Sequence, residues 1–235
     1  MANSSSKLKQ TYSDLLDFVY PPLCLGCGLP VEAEEPICVD CLKLIEKYDR
    51  PLCLNCGEVV YLGQVCPICK DKGFLLYSYG DYREPMAEII KQFKFKGISY
   101  PAKLFSRLII EQLGPQLEAL DADFLIPIPL HRSREYARGF NQAKIIAEEL
   151  AEGLNLKVND QILLRTKKNR PQAKLGHKLR EKNISGVFSL TERCTTATRL
   201  VLVDDVVTTG STIKEARNVL LDGGYTVPAA IAIAK

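Results

Sequence analysis

Residues 201–212 read Val-Leu-Val-Asp-Asp-Val-Val-Thr-Thr-Gly-Ser-Thr, and the fold turns on how this stretch is read. A short apolar run bounded by turn residues predicts a buried strand. The strand would carry Asp204 and Asp205 to the carboxyl edge of a sheet, where open α/β folds hold their ligands. Hydroxyls and a glycine follow at the start of a predicted helix. There the amides of Thr208, Thr209, Gly210, Ser211 and Thr212 can converge on a phosphate, helped by the helix dipole. Two carboxylates beside such a nest suit a sugar phosphate: the acids accept from ribose hydroxyls while the nest holds the 5′-phosphate. An acidic pair after an apolar strand also suits the metal-binding acid of a nucleotide hydrolase, but no Gly-Lys dipeptide occurs, so the matching phosphate loop is missing. A purely structural strand–turn–helix is the remaining alternative, and it gives two adjacent carboxylates no purpose.

The flanking segments extend the pattern. Residues 74–79, 123–128, 161–165 and 187–190 read as strands, and the stretch 226–234, Thr-Val-Pro-Ala-Ala-Ile-Ala-Ile-Ala, as a closing strand. Met86, Ile89, Ile90 and Phe93 share one helical face, as do Ala143, Ile146, Ala147 and Leu150; Leu104, Phe105, Leu108 and Ile109 continue the helical theme. A further helix is expected from about Thr212 to Leu221. Strands alternating with helices predict an α/β fold with a mostly parallel, Rossmann-like sheet covered on both faces. Residues 1–22 are expected to be a tail with a short amphipathic helix at 11–20, residues 23–72 a cysteine-rich unit, and residues 73–235 the α/β domain.

Eight of the nine cysteines form four Cys-x-x-Cys units: Cys24/Cys27, Cys38/Cys41, Cys53/Cys56 and Cys66/Cys69. Each unit places two thiolates on one tight turn, and two turns complete a tetrahedral zinc site. Two structural zinc ions are expected, with four sulfurs closing each site. Sequential pairing, 24/27/38/41 and 53/56/66/69, is preferred, and an interleaved pairing stays open. A disulfide framework would call for a secreted chain, and four copies are more than a redox dithiol needs. Cys194 has no partner in sequence.

Two basic segments stand out. Residues 127–142 carry Arg132, Arg134 and Arg138 between a strand and a helix, and arginine grips phosphate oxygens bidentately. Residues 165–182 hold eight Lys/Arg, Arg170, Lys174 and Arg180 among them, against the single acid Glu181. This run reads as a solvated loop, as a cover for pyrophosphate, or as a track for a nucleic-acid backbone. Lys91, Lys94, Lys96 and Lys103, interleaved with Phe93 and Phe95, make a second patch. Phe93 is assigned to the core and Phe95 to a stacking surface. His131 is a candidate anion contact, and His177 reads as exposed.

With 235 residues and 46% hydrophobic content the chain can bury a substantial core, and a net charge of +3 is too small to declare a partner. No run of 18 apolar residues occurs, and the first twenty residues lack a signal-peptide core, so a cytoplasmic location is expected.

The stretch 201–212 resembles the ligand signature of type I phosphoribosyltransferases, and residues 127–142 are similar to the pyrophosphate loop of amidophosphoribosyltransferases. Taken with the cysteine pairs, the Phe-Lys-Phe-Lys-Gly of residues 93–97 and the Arg-Pro-Gln-Ala-Lys-Leu-Gly-His-Lys-Leu-Arg of residues 170–180, the chain from about residue 14 onward resembles the ComF (ComFC) family of bacterial late-competence proteins. The resemblance implies a type I phosphoribosyltransferase-like fold behind a double zinc ribbon. It implies that Asp204 and Asp205 contact ribose hydroxyls of phosphoribosyl pyrophosphate, that residues 208–212 hold its 5′-phosphate, and that Mg²⁺ bridges its pyrophosphate and ribose oxygens. It further implies a role in DNA uptake during natural transformation: handling incoming single-stranded DNA with a helicase-like partner, with recruitment to the inner face of the membrane through partners. Fold alone does not confer chemistry. An active phosphoribosyltransferase with an unknown acceptor, or a regulator gated by phosphoribosyl pyrophosphate, are therefore alternative expectations.

Overall fold

The computed structural model describes residues 21–32, 35–61, 66–70, 73–96, 99–166 and 186–235. The helix expected at 11–20, together with Arg170, Lys174, His177 and Arg180, lies outside the described residues. Elements run in the order α1 (Val39–Leu44), β1 (Leu52–Cys53), β2 (Leu75–Gly80), α2 (Met86–Lys96), α3 (Tyr100–Glu118), β3 (Phe124–Pro127), α4 (Arg132–Arg138), α5 (Gln142–Leu154), β4 (Lys157–Val158), β5 (Leu163–Arg165), β6 (Phe188–Leu190), β7 (Arg199–Val206), α6 (Ser211–Asp222) and β8 (Thr226–Ala234).

A six-stranded sheet has the order β1-β2-β8-β7-β3-β4. All its pairings are parallel except the edge pair β1–β2. The central strands β7 and β8 are apolar almost without break because both faces are covered. Alternate residues feed different cores. Val201, Val203, Ile231 and Ile233 meet the side built from α2, α3 and α5, with Met86, Ile89, Phe93, Phe105 and Ile146. Leu200, Leu202, Ala230 and Ala232 meet α6 and the β5–β6 pair through Ile213, Leu220, Leu163 and Phe188. Pro228 lies inside β8 and has no N–H to donate. The β7–β8 ladder shifts register here, passing from Arg199↔Thr226 to Val201↔Ala229.

Two details go beyond the sequence reading. The strands at 161–165 and 187–190 do not join the main sheet; β5 and β6 pair antiparallel with each other. The cysteine-rich segment also contributes to the sheet, since Leu52 and Cys53 pair with Leu76 and Leu75. Cys24, Leu25, Ile37, Cys41 and Ile45 belong to the same buried cluster as α2 and α3. Such a segment lacks enough apolar area for a core of its own and borrows that of the larger unit.

Candidate functional site

β7 ends as the sequence reading expects, with Asp204 and Asp205 at the carboxyl edge of the sheet. Asp205 is 8% exposed and is ion-paired at 3.0 Å to Lys94 Nζ. The apolar face of α2 is buried, so the next residue after Phe93 is carried to the strand end. Asp204 lies beside it and accepts a hydrogen bond at 2.9 Å from the backbone N–H of Asp205. Burial, then the charge of Asp205, raise its carboxyl to about 7, against the pull of that N–H, Lys94 and Arg165.

These acids form one wall of a cavity of about 350 Å³, and Lys94, Arg134, Arg138, Arg165 and Thr212 complete its charged and hydroxyl lining. Arg138 is steadied by donating at 3.0 Å to Gln142 Oε1, and Gln142 is 1% exposed. Arg165 donates at 3.5 Å to the carbonyl of Pro129. Burial first, and the charge of Arg134 second, press its pKa down, while Asp204 opposes them. The arrangement gathers two acids, one of them paired with Lys94, and three arginines around a small polar space, which suits a ligand with hydroxyls at one end and phosphates at the other.

The turn after β7 adds hydroxyls and backbone amides. Gly210 has φ 73°, a conformation that favours glycine, and as the N-cap of α6 it brings no side chain to the helix start; the first amide, that of Ser211, donates to Thr209 Oγ1 at 3.5 Å. Thr209 and Ser211 share a hydroxyl–hydroxyl hydrogen bond of 2.7 Å. Of residues 208–212 only Thr212 lines the cavity; the other four lie next to it in the chain.

The arginines of 132–138 do not act as one group. Arg134 and Arg138 enter the acidic cavity. Arg132 instead lines a neighbouring cavity of about 450 Å³ with His131, Lys144 and Asp160. The two cavities share Leu130, Asn141 and Arg165. His131 also caps α4, its Nδ1 accepting from the Ser133 N–H at 3.2 Å. Phe93 is fully buried and Phe95 is 73% exposed, as their assignments to core and surface require. The sequence reading missed the pairing of Lys94 with Asp205 and the inward position of Arg165. Placement of Lys94 directly after a buried helix face was the available signal for the first; nothing marked the second within a run of eight cations.

The cysteines gather in sequential order. Cys24, Cys27, Cys38 and Cys41 form one group and Cys53, Cys56, Cys66 and Cys69 the other, with all sulfurs of a group within 4.8 Å of one another. Four sulfurs at ~2.3 Å from a tetrahedral zinc lie about 3.8 Å apart. Cys24–Cys41 at 3.7 Å, Cys27–Cys38 at 3.8 Å, Cys53–Cys69 at 3.8 Å and Cys56–Cys66 at 3.4 Å match that geometry. Backbone N–H groups of Cys38 and Gly26 donate to Cys24 Sγ, and that of Cys69 to Cys66 Sγ, as thiolate ligands require. Crowding splits the acidities: the Cys69 N–H helps lower Cys66 to about 7, while Cys56 and burial push Cys69 up to about 12. A divalent cation at each centre would let all four sulfurs ionise. Both groups therefore fit structural zinc.

Together these features define an α/β protein with a mostly parallel sheet and a double cysteine ribbon packed on its edge. Residues 15–70 match the family model of the double zinc ribbon domain. The DNA utilization protein YhgH of Escherichia coli strain K12 is 32% identical over 216 residues, which cover 87% of this chain and 92% of that protein. Competence protein F of Haemophilus influenzae is 32% identical over 212 residues, 84% of this chain and 90% of its own length. Competence protein ComFC of Bacillus subtilis is 28% identical over 207 residues, 83% and 81% of the two chains. The chain belongs to the ComF family of competence and DNA utilization proteins. No helix among the described residues is long and apolar enough to cross a membrane.

Proposed function

We propose that the protein is an accessory factor of DNA uptake in natural transformation, handling incoming single-stranded DNA on a fold whose acidic cavity takes phosphoribosyl pyrophosphate. The observation that carries the ligand reading is the cavity lined together by Asp204, Asp205, Lys94, Arg134, Arg138 and Arg165. In this reading the acids accept from the ribose hydroxyls, the amides at the start of α6 receive the 5′-phosphate, and the arginines face the pyrophosphate with its Mg²⁺. Lys94 holds Asp205 until a ribose hydroxyl replaces it. The DNA reading is supported by the relatives, whose names place them in competence and DNA utilization, and by the three arginines, Arg132, Arg134 and Arg138, that α4 carries beside the cavity.

Single-strand binding would neutralise phosphates and release counterions. Fluorescence anisotropy of a labelled oligo-dT with the full chain is expected to show affinity falling about a hundredfold between 50 and 200 mM salt, for about five neutralised phosphates. Absent binding, or an affinity indifferent to salt, would remove the DNA reading.

A further inference from the structure

α4 is a helix with no buried residue, held in place by its ends. His131 caps its start, and Gly139 at φ 81° closes it by donating its N–H to Glu135 O. Nothing apolar anchors its outer surface: Tyr136 is 93% exposed. Beside it, Phe95 is 73% exposed, and the Arg138 guanidinium lies 5.6 Å from that ring's centroid. With a cation on one side and most of the residue in solvent, the Phe95 ring keeps an open face. Arg132, Arg134 and Arg138 lie on the same short helix, between the two cavities.

Arg132 and Tyr136, one turn apart, share one flank of α4, and Arg138 with Phe95 lies on the other; we infer that a single-stranded nucleic acid crosses α4 from flank to flank, with bases stacking on Tyr136 and Phe95 and phosphates meeting Arg132 and Arg138. The inference rests on the single-strand reading above and gives it a surface. Exposed rings interleaved with arginines match unpaired bases on a phosphate backbone, whereas a duplex hides its base faces. An acidic peptide would use the arginines and leave the rings idle. The track borders the acidic cavity, because Arg138 belongs to both. A strand on α4 and a phosphorylated ribose in the cavity would draw on the same cation.

The test is anisotropy of labelled oligo-dT with the full chain, Tyr136→Ala/Phe95→Ala, Tyr136→Trp and Arg132→Ala. Both aromatic positions are exposed, so unchanged melting temperatures are expected. The double alanine variant should bind at least about tenfold more weakly with an unaltered salt slope, since stacking contributes independently of phosphate neutralisation. Tyr136→Trp keeps a stacking face and should retain wild-type affinity, while Arg132→Ala should lower the salt slope by about 0.7. If the wild type binds no oligo-dT, the single-strand reading falls and the track with it. Wild-type binding that the double alanine variant leaves intact would overturn the track alone. So would loss of polyglutamate binding in Arg132→Ala with oligo-dT affinity and salt slope unaffected, which would assign the surface to an acidic protein.

Discussion

Asp204 and Asp205 are adjacent in sequence, yet their surroundings differ. Asp205 has Lys94 at 3.0 Å. Asp204 has one backbone N–H, more distant cations, and a neighbour of its own charge, so its carboxyl is raised from 3.8 to about 7. A raised acid binds its proton more tightly in the folded state than in the unfolded one. Between about pH 4 and 7 the folded chain therefore holds more protons, and stability falls as pH rises through that window. Asparagine mimics the neutral acid and can still accept the Asp205 N–H. Asp204→Asn should thus melt above the wild type at pH 8, with the gap narrowing towards pH 5. An equal difference at both pH values would show that Asp204 ionises normally. The Lys94–Asp205 pair was illegible beforehand because its partners are far apart in sequence, one on α2 and one on β7. The acidic pair itself was legible because only a strand end presents two carboxylates after so apolar a run.

At the scale of elements, the two ribbons are anchored differently. Cys24 and Cys41 of the first group are each 3% exposed and lie within the large cluster shared with α2 and α3. Cys53, Val60 and Cys66 form a small cluster of their own, and Cys56 is exposed. Cys41→Ser and Cys56→Ser should each reduce zinc from two ions to one per chain, read by elemental analysis. Cys41→Ser should also lower the melting temperature by more than about 5 °C, and Cys56→Ser by less than half of that. Equal losses would mean that the first ribbon is no better tied to the core than the second. The metal groups were legible because four Cys-x-x-Cys turns leave few ways to close tetrahedral sites. β1 was not: a two-residue strand carries no period, and its existence depends on the β2 edge that it covers. The β5 and β6 segments were recognised as strands, but whether they join the main sheet depends on packing against α6 and not on their composition.

For the molecule as a whole, the ribbons support both sides of the sheet. The first packs against the α2–α3 side. The second sends Leu54, 6% exposed, against Gly210, where an added Cβ would lie 3.0 Å from Leu54 Cγ. The zinc knuckle that contains Leu54 therefore braces the turn proposed to receive the phosphate, and the metal centres and the cavity form one construction. Its central claim is that Asp204 and Asp205 hold the ribose of a phosphorylated ligand in that cavity. The direct measurement is isothermal titration of the zinc-loaded chain with phosphoribosyl pyrophosphate and Mg²⁺, repeated on Asp204→Asn/Asp205→Asn. Saturable binding by the wild type, weakened at least about tenfold in the variant, is the predicted result, since hydrogen bonds to charged groups contribute about 1.5–3 kcal/mol each. No binding by the wild type, or equal affinity in the two proteins, would contradict it.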